Sequence, residues 1–358
     1  MCARPKRAPF EVSTTARVLE HLLASTGSFV SGEAICRELN LSRVAVWKHI
    51  RMLREQGCQI TARPRCGYRL ARTPDLPTEE AVSQNLHTKV LGKPLVFFRE
   101  VDSTNRQLGL RATAGAKEGT VVVSDRQGAG RGRMGRTWHS IGGVNLYCSV
   151  LLRPKADIST LSTLPLAAGC AVVRTLAEVA PKMPVQMKWP NDLLVNGRKI
   201  GGILCEAESE ADGVRHVVVG IGINVNMRKS QLPTALNRVA TSLAMETGKT
   251  FSRADLLVVL LEKLEEVYAV WRTKGLAPLL TEITKRDALK GKTVCISQGY
   301  RRFVNGTADG ILADGTLRVR IADGSRVVVH SGDAHIVPKP AAAVEKKGKK
   351  SPARKAKK

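Results

Sequence analysis

The sequence predicts an α+β protein with a helical module in front and a run of short strands behind. Three observations predict this. Near the N-terminus, two short helical stretches and a tight turn lead into a longer basic helix, the pattern of a helix-turn-helix. From Leu95 to Ile223, apolar strand segments alternate with helical ones, and the hairpin pair Asn196-Gly197 joins two strands. A largely antiparallel or mixed sheet with helices on one face follows. After Gly291 the pattern changes to short strands separated by Asp314-Gly315 and Asp323-Gly324, as in a small barrel.

Each element has its own signal. Val18, Leu19, Leu22 and Leu23 form a helical stripe over Arg17 to Ser25, and Ser31 fits an N-cap with Ala34, Ile35 and Leu39 on one face. Asn40-Leu41 breaks the pattern. Ser42 caps a third helix through about Gln56, with Val44, Val46, Trp47, Ile50 and Leu53 available for packing. Gln59 to Leu70, folded around Pro64-Arg65-Cys66-Gly67, reads as the two-stranded wing of a winged helix. Residues 42–72 carry eight Lys/Arg and one Glu. Ser42, Arg43, Lys48 and Arg51 on the third helix, with Arg63 and Arg65 at the wing tip, are the candidate DNA contacts, since each neutralised phosphate releases counterions. A winged helix used only for packing or regulation is the alternative.

Arg72 to Glu79 is a proline-bearing linker, and Thr78 caps a short helix toward Leu86. Strands are expected at Leu95–Glu100, Val121–Ser124, Asn145–Leu152, Val185–Lys188, Leu193–Val195, Ile200–Glu206 and Val214–Ile223. Ser103 caps a helix after the first of these. Ser159–Val179 reads as a long amphipathic helix, and Ser252 begins another with Leu256, Leu260, Leu264 and Val267 on one side. Four strands close the chain: Thr293–Ser297, Gly306–Leu312, Thr316–Ile321 and Arg326–His330.

Composition bounds the function. The chain has 358 residues, room for two or three domains, and 43 % hydrophobic residues argue against global disorder. A formal net charge of +26 points to a polyanionic partner. Part of the excess is local, because residues 339–358 hold nine Lys/Arg against one Glu and read as a disordered basic tail. Residues 1–15 read as a flexible basic leader. Eight cysteines form no Cys-x-x-Cys pair and no zinc spacing, which fits a reduced, cytoplasmic compartment. No hydrophobic run follows the basic start, and no uninterrupted apolar run reaches spanning length, so neither a signal peptide nor a membrane partner is expected.

The chemistry concentrates in one loop, Asp125 to Ser140. Gly130, Gly132 and Gly135 alternate with Arg131, Arg133 and Arg136, and Trp138 follows. Glycines let backbone approach a ligand, successive N–H groups form an anion nest, and arginines add planar forks for phosphate or carboxylate. The indole offers a stacking surface for a purine. No Gly-Lys-Ser/Thr ending is present, so this is not the usual phosphate loop. A basic surface loop or an RGG-like nucleic-acid tract would share the composition.

The loop resembles the biotin- and adenylate-enclosing loop of biotin–protein ligases. Two more stretches match that family in order: Asp102-Ser103-Thr104-Asn105 upstream, and Lys188-Trp189-Pro190-Asn191-Asp192 through Lys199-Ile200-Gly201-Gly202-Ile203-Leu204 downstream. With its N-terminal winged helix, the chain resembles the bifunctional ligase–repressor type over roughly Ala16 to Pro338. The resemblance implies a class II synthetase-like ligase domain and an SH3-like C-terminal barrel. It implies this layout: winged helix 16–72, linker 73–80, ligase domain 81–288 and C-terminal domain 289–338.

The implied reaction joins biotin to ATP as biotinyl-5′-adenylate and then transfers biotin to a lysine of a biotin carboxyl carrier protein. Biotin would be held by Ser103, Thr104, Asn105, Gln127, Gly130, Arg131, Arg133, Lys199 and Gly202, with Ile203 as an apolar wall. ATP or the adenylate would meet Arg133, Arg136, Trp138, Lys188, Asn191, Asp192 and Asn224. Lys199, with Arg131 and Arg133, is the implied catalytic group, bridging carboxylate and α-phosphate. Mg²⁺ would ride mainly on the phosphates, with Asp192 the one protein candidate. Met134 stands where a further basic residue is common, and Ile141 replaces a common proline. The implied partners are the carrier protein, operator DNA and a second copy of the chain when adenylate is bound. A non-catalytic biotin sensor and a lipoate-ligase relative are the alternative readings.

Overall fold

The computed structural model describes residues 14–25, 27–55, 58–72, 75–210, 213–299 and 301–337. Most of the expected leader, and all of the expected tail, lie outside the described residues.

The N-terminal part is built from α1 (Thr14–Ala24), α2 (Gly32–Leu39), α3 (Arg43–Glu55) and the antiparallel pair β1 (Gln59–Arg63) and β2 (Gly67–Arg72). Ser31 caps α2 by accepting from Ala34 N at 3.0 Å, and Ser42 caps α3 by accepting from Ala45 N at 3.1 Å. Val18, Leu22, Ile35, Val46, Ile50, Leu53, Ile60 and Leu70 make its core. Val44 and Trp47 do not join it: they are 76 % and 54 % exposed. The helical stripe fixes only the buried side of α3, and 44 and 47 fall on the opposite side.

The centre is a seven-stranded sheet in the order β3-β4-β5-β9-β8-β7-β6. Its strands are β3 (Leu95–Val101), β4 (Val121–Gln127), β5 (Leu146–Leu152), β6 (Val185–Lys188), β7 (Asp192–Val195), β8 (Arg198–Glu210) and β9 (Gly213–Ile223). Only β3 and β4 run parallel. The helices are α4 (Glu79–Ser83), α5 (Thr104–Thr113), α6 (Ile158–Leu161), α7 (Leu164–Val179), α8 (Leu243–Thr247), α9 (Arg253–Lys274) and α10 (Leu280–Arg286).

Helices cover both faces of this sheet, not one. Val121 and Val123 of β4 pack into the large core with α7 and α9. Val122, pointing the other way, packs with Leu108 and Ala112 of α5. Alternation along the strand separates the two cores. The stretch Ser159–Val179 also departs from expectation. It divides into α6 and α7, and almost every α7 residue from Leu164 to Leu176 is buried, so it is a core helix and not an amphipathic one. By length and composition it would pass for a membrane span, yet 72 % of its apolar window lies inside the fold.

The C-terminal strands are β10 (Thr293–Ser297), β11 (Phe303–Ile311), β12 (Leu317–Arg320), β13 (Arg326–Val329) and β14 (Asp333–Ile336). They form one antiparallel sheet, β13-β12-β11-β10-β14. The fifth strand, β14, carries two polar residues in four and gave no apolar signal. Trp189, buried at the turn between β6 and β7, donates from Nε1 to Gly315 O at 2.9 Å and so pins this sheet to the centre.

Candidate active site

The site is a cleft of about 130 Å³ at the N-terminus of α5, above β8 and β9. Its floor is cleared by glycine. Gly202 pairs with Gly222 and Leu204 with Gly220, so adjacent strands present bare backbone there. The Trp138 ring lies on that floor: a Cβ built on Gly222 would stand 2.7 Å from Trp138 Cε2. Trp138 Nε1 is buried and has no hydrogen-bond partner among the described residues. Small-molecule sites commonly hold about 300–1,000 Å³. The smaller volume here reflects the indole, together with the Lys199 amine 5.2 Å from its ring centroid.

Lys199 is aimed by a bulge. Register slips between β7 and β8, where Leu193 pairs with Gly201 and Leu194 with Lys199. Ile200, left over, enters the core at 0 % exposure, while the Lys199 amine faces the cleft. Its backbone is held by residues 239–241: Lys199 N donates to Val239 O (2.7 Å) and Thr241 N to Lys199 O (2.9 Å). Lys199 Nζ lies 2.5 Å from Asp192 Oδ1, and Lys188 Nζ 3.9 Å from Asp192 Oδ2. Burial lowers the Lys188 amine below the ordinary lysine value; Asp192 opposes this and Lys199 adds to it.

The glycine–arginine loop crosses the cleft as a small hairpin. Trp138 N donates to Gly130 O (2.8 Å) and Gly132 N to Arg136 O (2.6 Å). Met134 and Gly135 turn it with φ of +55° and +72°. Gly130 is packed so tightly that a Cβ would meet Trp138 O at 2.5 Å. Arg131 donates to both oxygens of Glu206 at 2.8 and 2.9 Å. Arg133 reaches Asn191 Oδ1 and Gly332 O, each at 3.4 Å. Arg136 pairs with Asp333. Burial lowers the Arg133 guanidinium from its ordinary value against the pull of Asp333, with Arg136 adding; a guanidinium stays charged regardless. Lys188, Lys199, Arg133 and Arg136 thus outnumber Asp192 and Asp333, leaving positive charge in excess around the cleft.

The remaining predicted residues divide between lining and scaffold. Ser103 precedes α5 but makes no side-chain cap bond; it lines the cleft, and Asp102 Oδ1 accepts from Ser103 N at 2.7 Å. Gln127 accepts from Thr104 N (2.9 Å) and donates to Ser140 Oγ (2.9 Å). Asn105 is tied three ways, donating to Leu204 O (3.2 Å) and Glu206 Oε2 (2.7 Å) and accepting from Ser149 Oγ (2.6 Å). Asn191 donates to Ile203 O at 2.7 Å. Asn224 does not line the cleft. It is buried, donates to Thr241 O at 2.9 Å, and so supports the segment that clamps Lys199. Lys188 and Gly130 are not among the lining residues.

Residues that composition and motif did not single out are Glu206, Gly220, Gly222, Tyr147, Gly332 and Asp333. A Gly-Ile-Gly run at 220–222 was the one visible signal. A larger open cleft, about 1,560 Å³, lies between α1, residues 75–84 and residues 226–231, and none of the predicted site residues lines it.

Comparison with known proteins agrees with this geometry. Residues 97–224 match the biotin/lipoate A/B protein ligase family, and residues 14–69 match an HTH domain. A bifunctional ligase/repressor from Bacillus spizizenii is 41 % identical over 268 residues, covering 75 % of this chain and 82 % of that protein. The chain belongs to the bifunctional biotin–protein ligase/repressor family. A biotin–[acetyl-CoA-carboxylase] ligase from Mycobacterium tuberculosis is 33 % identical over 245 residues, 67 % of this chain and 88 % of that one. The biotin protein ligase of Aquifex aeolicus, solved with biotin and ATP, superposes with a TM-score of 0.60 at 31 % identity, over 69 % of this chain and all of that one.

In this ligase/repressor the residues expected to meet DNA are all solvent-exposed. Arg43, Lys48 and Arg51 are exposed on α3, and Arg63 and Arg65 are exposed on the wing. Arg63 stacks 5.3 Å from the Phe29 ring centroid, and Arg65 turns the tip at φ +64°. Ser42 is engaged as the α3 cap.

Proposed function

We propose that the chain is an ATP-dependent biotin–protein ligase that also acts as a biotin-responsive DNA-binding repressor. The observation that carries this is the meeting of three distant stretches over one glycine floor: Ser103 at α5, the loop with Trp138, and the Lys199–Asp192 pair. Biotin's carboxylate attacks the α-phosphorus of ATP and pyrophosphate leaves. The lysine amine of a carrier protein then attacks the acyl carbon, AMP leaves, and an amide remains.

The obstacle is repulsion between two anions. At 4 Å it costs about 1 kcal/mol in water and about 4 kcal/mol at an effective dielectric of 20. The cationic excess around the cleft offsets it, with Lys199 placed to bridge carboxylate and α-phosphate. Ser103 and Gln127 supply polar groups for the ureido ring, and Ile203 an apolar wall. Trp138, whose N–H has no hydrogen-bond partner among the described residues, covers the adenine. Among the described residues no group of three His, Cys, Asp or Glu could hold a metal. Asp192 is a single carboxylate shared by two lysines, so Mg²⁺ would be held chiefly by nucleotide phosphates, where it neutralises charge.

We read the modules as winged helix 16–72, linker 73–80, ligase domain 81–288 and an SH3-like barrel 289–338. Repression follows by linkage: adenylate orders the loop, an ordered loop favours a homodimer, and a dimer presents two winged helices to a two-fold operator. All seven described cysteines are free, which supports a reducing, cytoplasmic setting.

The test is incubation with biotin, ATP, Mg²⁺ and a carrier domain. Pyrophosphate release and a biotinyl mass gain on the carrier are expected. Absence of both, or preference for lipoate as competing acid, overturns the reading.

A further inference from the structure

Arg253 is buried to 1 % exposure, and it is the first residue of α9. A cation there sits at the positive end of a helix, where the macrodipole opposes it. Helix stability therefore does not explain it; its partners do. Its Nη1 donates to Asp125 Oδ1 (2.7 Å) and Asn145 O (3.0 Å). Its Nε donates to Asp75 Oδ2 (3.1 Å), its backbone N to Asp75 Oδ1 (2.7 Å), and its Nη2 to Asp75 O.

These partners belong to three segments. Asp125 lies on β4, where the glycine–arginine loop leaves the sheet. Asn145 lies just before β5, where it returns. Asp125 Oδ1 also accepts from Gly143 N at 2.9 Å, joining the two stems directly. Asp75 lies between β2 of the winged helix and α4 of the centre. One guanidinium thus holds both stems of the ligand loop and the segment arriving from the DNA-binding module. Asn226 adds a support, donating to Asp75 Oδ2 (3.4 Å) and Phe251 O (2.8 Å).

We propose that Arg253 is a positioning residue that couples the ligand loop to the winged helix, through Asp125 and Asn145 on one side and Asp75 on the other. The inference rests on the ligand-loop reading given above. None of the guanidinium's hydrogen-bond partners lines the cleft, so it acts by setting where the loop stems stand. A buried cation shared by two carboxylates cannot move from one without unbalancing the other. Lysine, a point charge without the planar fork, cannot satisfy all the acceptors at once.

Hydrogen–deuterium exchange on the full chain, with and without biotin, ATP and Mg²⁺, tests this. Ligands are expected to slow exchange in residues 128–140 and also in residues 75–78, each by at least about fivefold, the low end of usual coupling. Asp75→Asn is expected to lose the response at 75–78 while the chain still releases pyrophosphate. Arg253→Lys is expected to weaken both responses; if it does not fold, Asp75→Asn alone decides. A wild-type chain that releases pyrophosphate while residues 75–78 stay unresponsive overturns the coupling, as does an Asp75→Asn chain that responds like wild type. A wild-type chain that releases no pyrophosphate overturns the ligase reading instead.

Discussion

Lys199 Nζ stands 2.5 Å from Asp192 Oδ1 across the bulged β7–β8 hairpin. The carboxylate holds the amine at the mouth of a cleft whose floor is bare backbone. Without it, Lys199 and Lys188 would repel one another and the amine would have several rotamers to choose from.

Lys199→Ala should therefore fold and yet fail at adenylation. Loss of one preorganised electrostatic donor typically costs about 10²–10³ in rate. Biotin-dependent ATP–pyrophosphate exchange should fall by that order, with little change in the thermal midpoint because the side chain is partly exposed. Exchange near the wild-type rate would remove Lys199 from the mechanism.

The floor glycines should separate binding from stability. At Gly222 an added Cβ meets the Trp138 ring at 2.7 Å, and that ring sits on a loop. Gly222→Ala should displace the indole and raise the KM for ATP about tenfold, as a loss of roughly 1.4 kcal/mol in binding would. At Gly220 the Cβ meets Asn105 Oδ1 at 2.1 Å, and Asn105 is pinned by three hydrogen bonds. Gly220→Ala should instead cost about 1–3 kcal/mol of stability by overpacking. Thermal unfolding and ATP kinetics on the two variants distinguish these outcomes.

Asp333 gives a pH dependence with a definite sign. Burial pushes its carboxyl up, but the hydrogen bond and charge of Arg136, with Arg133 and Lys188, outweigh burial, and the net shift is downward. A carboxyl depressed in the folded state contributes stability above its unfolded pKa and loses it as pH falls through the folded value. The stability difference between wild type and Asp333→Asn should be full at neutral pH and vanish in acid, below the ordinary aspartate range. Denaturant unfolding across that range checks it; a difference that grows in acid contradicts the assignment.

On the winged helix, charge and shape should act separately. Arg43→Ala and Lys48→Ala should each weaken DNA binding on any sequence and lower the salt slope by about 1. Trp47, exposed beside Val44 on the same helix, carries no charge. Trp47→Ala should leave the salt slope alone and change which sequences a random duplex library yields. Binding measured at several salt concentrations, followed by selection, tests both.

Much of this was legible in the chain itself. The three short helices, the wing, the hairpin at Asn196-Gly197 and the glycine–arginine loop follow from caps, turns and periodicity, all of which act over a few residues. The exposed Trp47, the largely buried α7 and the second helical face under α5 were not legible. Each depends on what packs against it, and an apolar side chain does not carry the identity of its neighbour. The strand β14 escaped for a related reason: its pairing with β10 uses backbone, while its side chains are mixed.

Sequence alone determined the N-terminal helices and wing, the glycine–arginine loop and the residue types gathered around the cleft, because motifs of close spacing specify local backbone and local charge. Tertiary structure alone decided the partners. It put Glu206 on Arg131, Asp333 on Arg136, and Asp75 with Asp125 on Arg253. Ion pairs between residues far apart in the chain depend on sheet register and domain packing, and no local pattern encodes either.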